Sequence, residues 1–205
     1  MTSDIFLSGF LAGSIQTIIG HPLDTLKTNL LMNHLSFHHL YRGWRGALWS
    51  GCVSNGCIFA TEDWMYARTG HHFMSGILCG IISGIAIGPF EYVKLKRQLR
   101  HESKRSFYKY RMGAHWIVLR ECTGLGTYFY MYHSYREKMG VFLSGGMAGV
   151  AGWMVSYPFE LCYIRCYTGS LVNIWKSFYI VVARAFLVNA CLFSVYEPII
   201  FWIKK

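Results

Sequence analysis

Three motifs in the sequence combine a proline with an acid two residues later. They read HPLDTLK at 21–27, GPFEYVK at 88–94 and YPFELCY at 157–163, and in the first two a lysine follows three residues after the acid. An acid and a base at this spacing lie on one face of a helix, and charges at membrane depth must face water or one another. On three helices around one axis, the acid of one motif could pair with the base of the next and close a cavity.

A second set of charged residues has the chemistry to bind a small molecule. Arg120 and Glu121 are adjacent, and Arg184 lies in a different apolar run. The planar guanidinium of arginine can bind a carboxylate through two parallel hydrogen bonds, and Glu121 could hold an ammonium group. Together they suit a molecule with a carboxylate and a cationic centre. Two alternatives stay open: Arg120 and Glu121 neutralise each other, or Arg184 extends toward the membrane interface.

The sequence does not indicate an enzyme or a metal site. It has no paired carboxylates, nucleophile–base arrangement or phosphate loop, so we predict neither catalytic residues nor a cofactor. His34, His38 and His39 have helical spacing, but no acidic or thiol partner is near, which favours a solvated loop over a metal site. We predict no chemical role for His71 and His72, which lie at a short turn. The seven cysteines form no CxxC pair and are interpreted as small packed residues.

The elements that carry these residues are predicted to span a membrane. Of the 205 residues, 53% are hydrophobic and 15% are charged, and the mean hydropathy is +0.28. This composition is too apolar for an ordinary soluble domain, although a large apolar soluble core is the alternative. The stretches with the length and apolarity of membrane spans, or nearly so, are 5–20, 46–61, 73–90, 112–132, 141–158 and 178–203.

The distribution of positive charge orients the chain. The net charge is +10, and the basic residues concentrate in the connections after the first and third spans. This is the positive-inside pattern of a membrane protein rather than the basic patch of a nucleic-acid-binding protein. Both termini are therefore expected on the less basic side. The basic run at 96–111 either binds anionic lipid head groups, cardiolipin being the natural partner, or only sets the topology.

The proline motifs belong to an internal repeat. Their prolines are 67 and 69 residues apart, and a Gly-x-x-x-Gly pair begins 13 residues before each one. Small residues at this spacing let a neighbouring membrane helix approach closely, and proline kinks the helix that contains it. We therefore predict three tandem two-helix repeats, at 1–70, 71–138 and 139–205. The kinks are predicted at Pro22, Pro89 and Pro158.

With these features the chain resembles the mitochondrial carrier family, in which the odd-numbered helices carry Pro-x-Asp/Glu-x-x-Lys/Arg. The resemblance covers nearly the whole chain. It implies an all-α membrane protein of six transmembrane helices in pseudo-threefold symmetry around a central cavity, which opens alternately to the two sides of the mitochondrial inner membrane. Both termini would face the intermembrane space. The matrix-side gate would consist of Asp24, Lys27, Glu91, Lys94, Gln98, Glu160 and Tyr163.

The even-numbered helices of the family carry an aromatic residue, an acid and a base. By this pattern the cytoplasmic-side gate would consist of Arg68, His133, Arg136 and Glu197. The resemblance implies that Arg136 pairs with Glu197 and that Arg68 faces His133. Only the first is an ordinary ion pair, so we expect a weaker barrier on this side than on the matrix side.

The chain departs from the family pattern on the matrix side. Its connections there are shorter than the family implies, so small matrix-side helices are expected to be truncated or missing. By the family's pairing, Glu160 would meet Lys27, but Glu91 would meet Tyr163 in place of a base. That position could form a hydrogen bond and not an ion pair.

The resemblance also suggests a substrate class. An Arg-acid pair at the place of Arg120 and Glu121 resembles carriers of amino acids and related zwitterions, and the run around Arg184 is similar to carnitine/acylcarnitine and ornithine-type carriers. At the equivalent place on the second helix, Cys52 and Asn55 carry no charge and would contribute to the shape of the site. We predict a monomeric carrier of a small zwitterionic or cationic metabolite, with no nucleic-acid partner. The alternatives are a carboxylate or nucleotide carrier and a carrier-like membrane adaptor that does not transport.

Overall fold

The computed structural model of the protein describes residues 2–31, 40–41, 44–98, 106–168 and 175–203, and the regular structure in these residues is entirely α-helical. The helices are α1 (Thr2–Leu31), α2 (Trp44–Thr69), α3 (His72–Gln98), α4 (Ser106–Thr168) and α5 (Trp175–Ile203). The all-helical architecture predicted from the sequence is therefore confirmed. In a membrane, helices satisfy their backbone hydrogen-bonding groups within one segment, which is why long apolar stretches fold this way.

Two glycines set the ends of helical segments. Gly140 interrupts α4 with φ 77° and ψ 167°, a conformation that glycine adopts readily and other residues do not. We refer to 106–139 and 141–168 as the first and second arms of α4. Gly70 has φ 67°, and its N–H donates to the carbonyl oxygen of Tyr66 at the end of α2. The chain then turns directly into α3.

The three glycine pairs of the sequence lie at helix–helix contacts. A Cβ atom at Gly80 would lie 2.5 Å from Cα of Cys122 and 2.6 Å from the carbonyl oxygen of Glu121, so only glycine lets α3 approach α4 this closely. The complete set is Gly9 and Gly13 against α2, Gly76 and Gly80 against the first arm of α4, and Gly145 and Gly149 against α5. The prediction that each pair admits a neighbouring helix is confirmed, and that neighbour is the next helical segment of the chain.

The helices close into a ring of contacts. Each helix packs against the next along the chain, and α5 packs against α1. Gly20 of α1 lies beside Val188 of α5, where a Cβ on the glycine would be 3.3 Å from the valine. The two arms of α4 pack on each other in the same way, through Gly124 and Gly152.

A cluster of aromatic residues forms the core near the end of the bundle where α2 passes into α3. Phe59 of α2 stacks on Tyr196 of α5 with ring centroids 4.2 Å apart, and Tyr132 of α4 stacks on Phe193 of α5 at 3.4 Å. Tyr132 and Phe193 are each 1% exposed. Stacked aromatic rings add to the energy of area burial, so these contacts tie three helices together at this end.

The apolar segments are fewer than the six spans predicted. Among the described residues, the helical segments long and apolar enough to cross a membrane are Ser3–Leu23, Gly113–Cys166 and Val181–Trp202. The second is 54 residues long and covers the predicted spans of both arms of α4 except for residue 112. α3 has only the shorter apolar segment His72–Ala86. In α2, Asn55 lies within the predicted span 46–61 and Glu62 follows it directly. Such polar and charged residues lower the apolarity of this helix.

The prolines of the three motifs lie inside helices. Pro22 is in α1, Pro89 is in α3, and Pro158 is in the second arm of α4. Each removes a backbone N–H from the helical ladder. The kinks stay a prediction.

Candidate functional site

Arg120 is held between two carboxylates. Its Nη1 donates to Oε2 of Glu160 at 2.6 Å, and its Nε donates to Oε1 of Glu121 at 3.1 Å. The three side chains are between 11% and 17% exposed. Because Arg120 and Glu121 belong to the first arm of α4 and Glu160 to the second, this Arg120 cluster joins the two arms.

Among the described residues, two carboxylates share the guanidinium of Arg120. The side chains are mostly buried, so water screens these charges less than it would at the surface. In this conformation Arg120 and Glu121 do bind each other, the alternative that the sequence leaves open. The bond from Arg120 to Glu160 is not foreseen by the resemblance, which pairs Glu160 with Lys27, a side chain outside the described residues.

Arg184 lies at the contact between α5 and α1. A Cβ on Gly20 would be 3.7 Å from Nη2 of Arg184, an ordinary van der Waals distance, so the guanidinium lies beside this glycine. The side chain of Arg184 is partly exposed. A shared role with Arg120 in binding one carboxylate stays a prediction.

Cys52 and Asn55 face α1. Nδ2 of Asn55 donates to Oε1 of Gln16 at 2.6 Å, and Sγ of the buried Cys52 is 3.0 Å from Oγ of Ser14. Both contacts hold α2 on α1, and the expectation that this part of α2 shapes the substrate site stays a prediction. Sequence reasoning missed Gln16, although its position three residues after Gly13 places it on the glycine face of α1.

The pairing of Arg136 with Glu197 is found as the resemblance implies. Nη2 of Arg136 donates to Oε2 of Glu197 at 2.7 Å, and the hydroxyl of Tyr132 donates to Oε1 of the same carboxylate at 2.6 Å. The Arg136 side chain is 43% exposed and that of Glu197 is 19% exposed. These three residues, the Glu197 cluster, connect the first arm of α4 to α5 directly beside the aromatic core.

Arg68 and His133 each contact another ring. Cζ of Arg68 lies 3.4 Å from the centroid of the Trp64 ring, one turn earlier in α2, and His133 stacks on His72. A guanidinium over an indole face is an attractive cation–π contact within one helix. Both side chains have other ring contacts in this conformation, and the expectation that Arg68 meets His133 stays a prediction.

The residues predicted for the matrix-side gate are described only in part. The side chains of Asp24, Lys27, Glu91, Lys94 and Gln98 lie outside the described residues. Tyr163 is 3% exposed, and its ring packs against Gly113 of the first arm, where a Cβ would lie 3.0 Å from the ring. Glu160 binds Arg120, as described above. The gate itself stays a prediction.

A further polar cluster was not predicted from the sequence. Nδ1 of His72 lies 3.0 Å from Oε1 of Glu62, and Oγ of Ser75 donates to the same oxygen at 3.1 Å. The His72 ring stacks between Tyr66 and His133. We call Glu62, His72 and His133 the Glu62 cluster. The signal in the sequence is weak, because His72 lies beside a turn and only folding brings it to α2 and α4.

Known proteins resemble the chain along most of its length. The mitochondrial arginine transporter BAC2 of Arabidopsis thaliana is 24% identical over an alignment that covers 94% of this chain and 88% of that protein. Solute carrier family 25 member 45 of Homo sapiens is 21% identical, with 98% and 99% of the two chains covered. These relatives are mitochondrial carriers, so the resemblance to that family is confirmed. A third relative, the mitochondrial basic amino acids transporter of Homo sapiens, is 23% identical across 78% of this chain and 70% of its own length.

No protein-family model and no solved structure matches this carrier. The alignment with BAC2 extends over 269 positions although it covers 94% of a chain of 205 residues. The relative therefore has residues where this carrier has gaps, in agreement with the short connections noted in the sequence. The connections at 32–39, 99–105 and 169–174 lie outside the described residues.

Proposed function

We propose that this carrier transports a small zwitterionic or cationic amino-acid-like metabolite, of the arginine, ornithine or carnitine class, across the mitochondrial inner membrane by alternating access. Relatives named as transporters of arginine and of basic amino acids support the substrate class. The observation that carries the proposal is the Arg120 cluster, in which two carboxylates flank one guanidinium between the arms of α4.

A substrate with a carboxylate and a cationic group suits the Arg120 cluster by an exchange of partners. The carboxylate of the substrate binds Arg120, and its cationic group binds the glutamate that Arg120 releases, Glu121 or Glu160. Every charge then keeps an opposite partner, which matters because an unpaired charge in a poorly hydrated site is strongly unfavourable. A dicarboxylate or nucleotide could also bind Arg120, but it has no cationic group for the glutamate that Arg120 releases.

The exchange provides a link to conformational change. We propose that the helices, with α4 counted as two, form the six transmembrane helices of repeats 1–70, 71–138 and 139–205 in pseudo-threefold symmetry. The recurring glycine contacts and the backbone breaks at Gly70 and Gly140 support this division. The bond between Arg120 and Glu160 would then join the second and third repeats, and its rupture on substrate binding would free them to move.

Other residues have proposed roles around this centre. Arg184 provides a second cation for the substrate carboxylate, while Cys52 and Asn55 shape the wall by holding α2 on α1. The proposed cytoplasmic-side gate consists of Arg68, His133, Arg136 and Glu197. The proposed matrix-side gate consists of Asp24, Lys27, Glu91, Lys94, Gln98, Glu160 and Tyr163. The carrier would act as a monomer, with both termini facing the intermembrane space and cardiolipin at the basic run 96–111.

Uptake by the purified carrier in liposomes tests the substrate class. The labelled compounds are arginine, ornithine, carnitine, malate and ADP. We expect Glu121→Gln to lower arginine and ornithine uptake by at least about tenfold, because truncating one partner of a buried charge pair typically costs about 2–5 kcal/mol. Glu137→Gln, which changes an exposed acid of the same arm, is the matched control and should leave uptake unchanged.

Each contrary result of this assay has a distinct meaning. Uptake of malate or ADP that survives Glu121→Gln would contradict the cationic or zwitterionic class and support a carrier of anions. No uptake of any of the five compounds, by a protein that is folded and inserted, would contradict transport of these classes and support the adaptor.

A further inference from the structure

A buried glutamate and two histidines from three helices lie together near the end of the bundle where α2 passes into α3. Glu62 of α2 is 7% exposed. One ligand atom each from Glu62, His72 of α3 and His133 of α4 lies within 4.8 Å of the other two. The partner exchange at Arg120 gives no role to Glu62 or His72, so this cluster calls for an explanation of its own.

We propose that the Glu62 cluster binds a divalent transition-metal ion of the zinc type. Two imidazole nitrogens and one carboxylate oxygen are a donor set that zinc uses in sites where a water molecule occupies the fourth position. Magnesium and calcium prefer oxygen donors, so they fit this set poorly. The binding itself is independent of the Arg120 cluster and of transport.

The distance between Glu62 and His72 is close to the one that a shared ion requires. On a tetrahedral zinc ion with bonds of about 2.0–2.2 Å, a carboxylate oxygen and an imidazole nitrogen lie about 3.3 Å apart. In the structure Oε1 of Glu62 and Nδ1 of His72 are 3.0 Å apart. An ion could therefore take the place of their hydrogen bond after a small outward movement. The hydroxyl of Ser75, which donates to the same oxygen, would orient the carboxylate as hydrogen bonds to metal ligands commonly do.

His133 must turn before it can bind the same ion. Its ring is stacked on His72 with centroids 3.5 Å apart and planes within 2°. A metal ion lies near the plane of each imidazole that binds it, so two stacked rings cannot share one ion. His133 is the outer ring of the stack, because Tyr66 is stacked on the other side of His72. Rotation about its Cβ–Cγ bond, a torsion with a broad energy profile, would leave the contact of Tyr66 with His72 in place.

An ion bound here would connect α2, α3 and the first arm of α4. If the proposed alternating access holds, this connection would resist the separation of these helices and zinc would inhibit uptake. That consequence rests on the proposed function, whereas metal binding does not. The two are therefore tested separately.

Metal titration of the full-length carrier, purified without a polyhistidine tag, tests the site. The probe is Co²⁺, whose visible absorption reports its ligands, followed by displacement with Zn²⁺. We expect one tightly bound Co²⁺ per chain, with the spectrum of a nitrogen- and oxygen-ligated ion and no thiolate charge-transfer band. His72→Asn and His133→Asn should each weaken binding by at least about tenfold, and Ser75→Ala by about tenfold. His71→Asn, which changes the exposed neighbour of His72, is the matched control.

Several results would overturn the metal site. One is equal Co²⁺ affinity of the wild type, His72→Asn and His133→Asn. Another is a thiolate band, which would place the ion on cysteines. A third is loss of binding in a triple variant of His34, His38 and His39 but not in His72→Asn. Circular dichroism checks the fold of each variant. If His133→Asn does not fold, the Co²⁺ affinity of His72→Asn decides whether the metal site exists, because His72 lies at the partly exposed start of α3.

Uptake in liposomes then tests the consequence for transport. Zn²⁺ should lower uptake by the wild type and not by His72→Asn. If the wild type transports nothing, the proposed function fails while the titration still decides the metal site. If Co²⁺ binds with the expected spectrum and Zn²⁺ displaces it, but Zn²⁺ leaves uptake unchanged, the site stands and its effect on the moving helices is contradicted.

Discussion

Nη1 of Arg120 and Oε2 of Glu160 lie 2.6 Å apart, so a charged hydrogen bond joins the two arms of α4. This bond connects a residue with the chemistry to bind a carboxylate to the acid of the third proline motif. A ligand carboxylate that binds Arg120 competes with Glu160 and with Glu121 for the same guanidinium. Substrate recognition and the contact between two repeats therefore depend on one side chain.

Removal of Arg120 should destabilise the carrier and abolish its response to substrate. In Arg120→Ala, Glu121 and Glu160 lose their shared partner, and hydrogen bonds to charged groups contribute about 1.5–3 kcal/mol each. We expect a lower midpoint of thermal unfolding in detergent, measured by tryptophan fluorescence. Added arginine should raise the midpoint of the wild type and not that of the variant. Arg165→Ala, at an exposed position of the second arm, is the control, and equal midpoints for both variants would contradict the role of Arg120.

Gly80 and Gly70 should respond differently to the same substitution. Gly80→Ala places a methyl group against the backbone of α4 at Cys122, and overpacking of this kind costs about 1–3 kcal/mol. Gly70 has open space around it, and its positive φ is the constraint, so Gly70→Ala should cost about 1–2 kcal/mol. Asparagine tolerates the left-handed conformation better than alanine, so Gly70→Asn should recover stability where Gly80→Asn should not. Equal recovery at both positions would show that close packing is not the constraint at Gly80.

Tyr132 should matter more for stability than Arg136, although both bind Glu197. Tyr132 is buried against Phe193, and Tyr132→Phe removes only the hydrogen bond to a carboxylate, worth about 1.5–3 kcal/mol. Arg136 is 43% exposed, and exposed ion pairs contribute about 0–1 kcal/mol. Thermal unfolding of Tyr132→Phe and Arg136→Gln gives the order directly. A larger loss in Arg136→Gln would mean that the ion pair, and not the buried hydrogen bond, holds α4 on α5 here.

Gln16 and Asn55 should act as a unit. The amide of Asn55 donates to Gln16 across the contact of α1 with α2, and a hydrogen bond of this type contributes about 0.5–1.5 kcal/mol. The losses of stability in Gln16→Ala and Asn55→Ala should therefore not add up in the double variant. Gln16→Ala combined with Tyr132→Phe, two changes at separate contacts, is the control pair. Strict additivity for Gln16 and Asn55 would contradict the contact.

The features predicted correctly from the sequence are those that a repeat pattern encodes. The spacing of glycines such as Gly80 identifies where helices approach closely, because the pattern recurs three times and a helix has a fixed period. The pairing of Arg136 with Glu197 follows from the equivalent places of these residues in two repeats. Both predictions depend on spacing within the chain.

The contacts that the sequence did not reveal depend on how helices rotate and which rotamers side chains adopt. Glu160 has Arg120 and Lys27 as candidate partners, and spacing does not decide between them. Arg68 binds Trp64 in its own helix because the guanidinium reaches an aromatic face one turn away. His72 begins α3 beside a turn, and only the packing of α3 against α2 brings it to the buried Glu62.

Initial uptake of labelled arginine, malate and ADP by the wild-type carrier in liposomes tests the central claim most directly. Transport through a site with two carboxylates around Arg120 predicts arginine uptake above that of protein-free liposomes, with malate and ADP at the background level. Arg120→Ala should abolish the arginine signal. Uptake of malate or ADP without uptake of arginine would contradict this account.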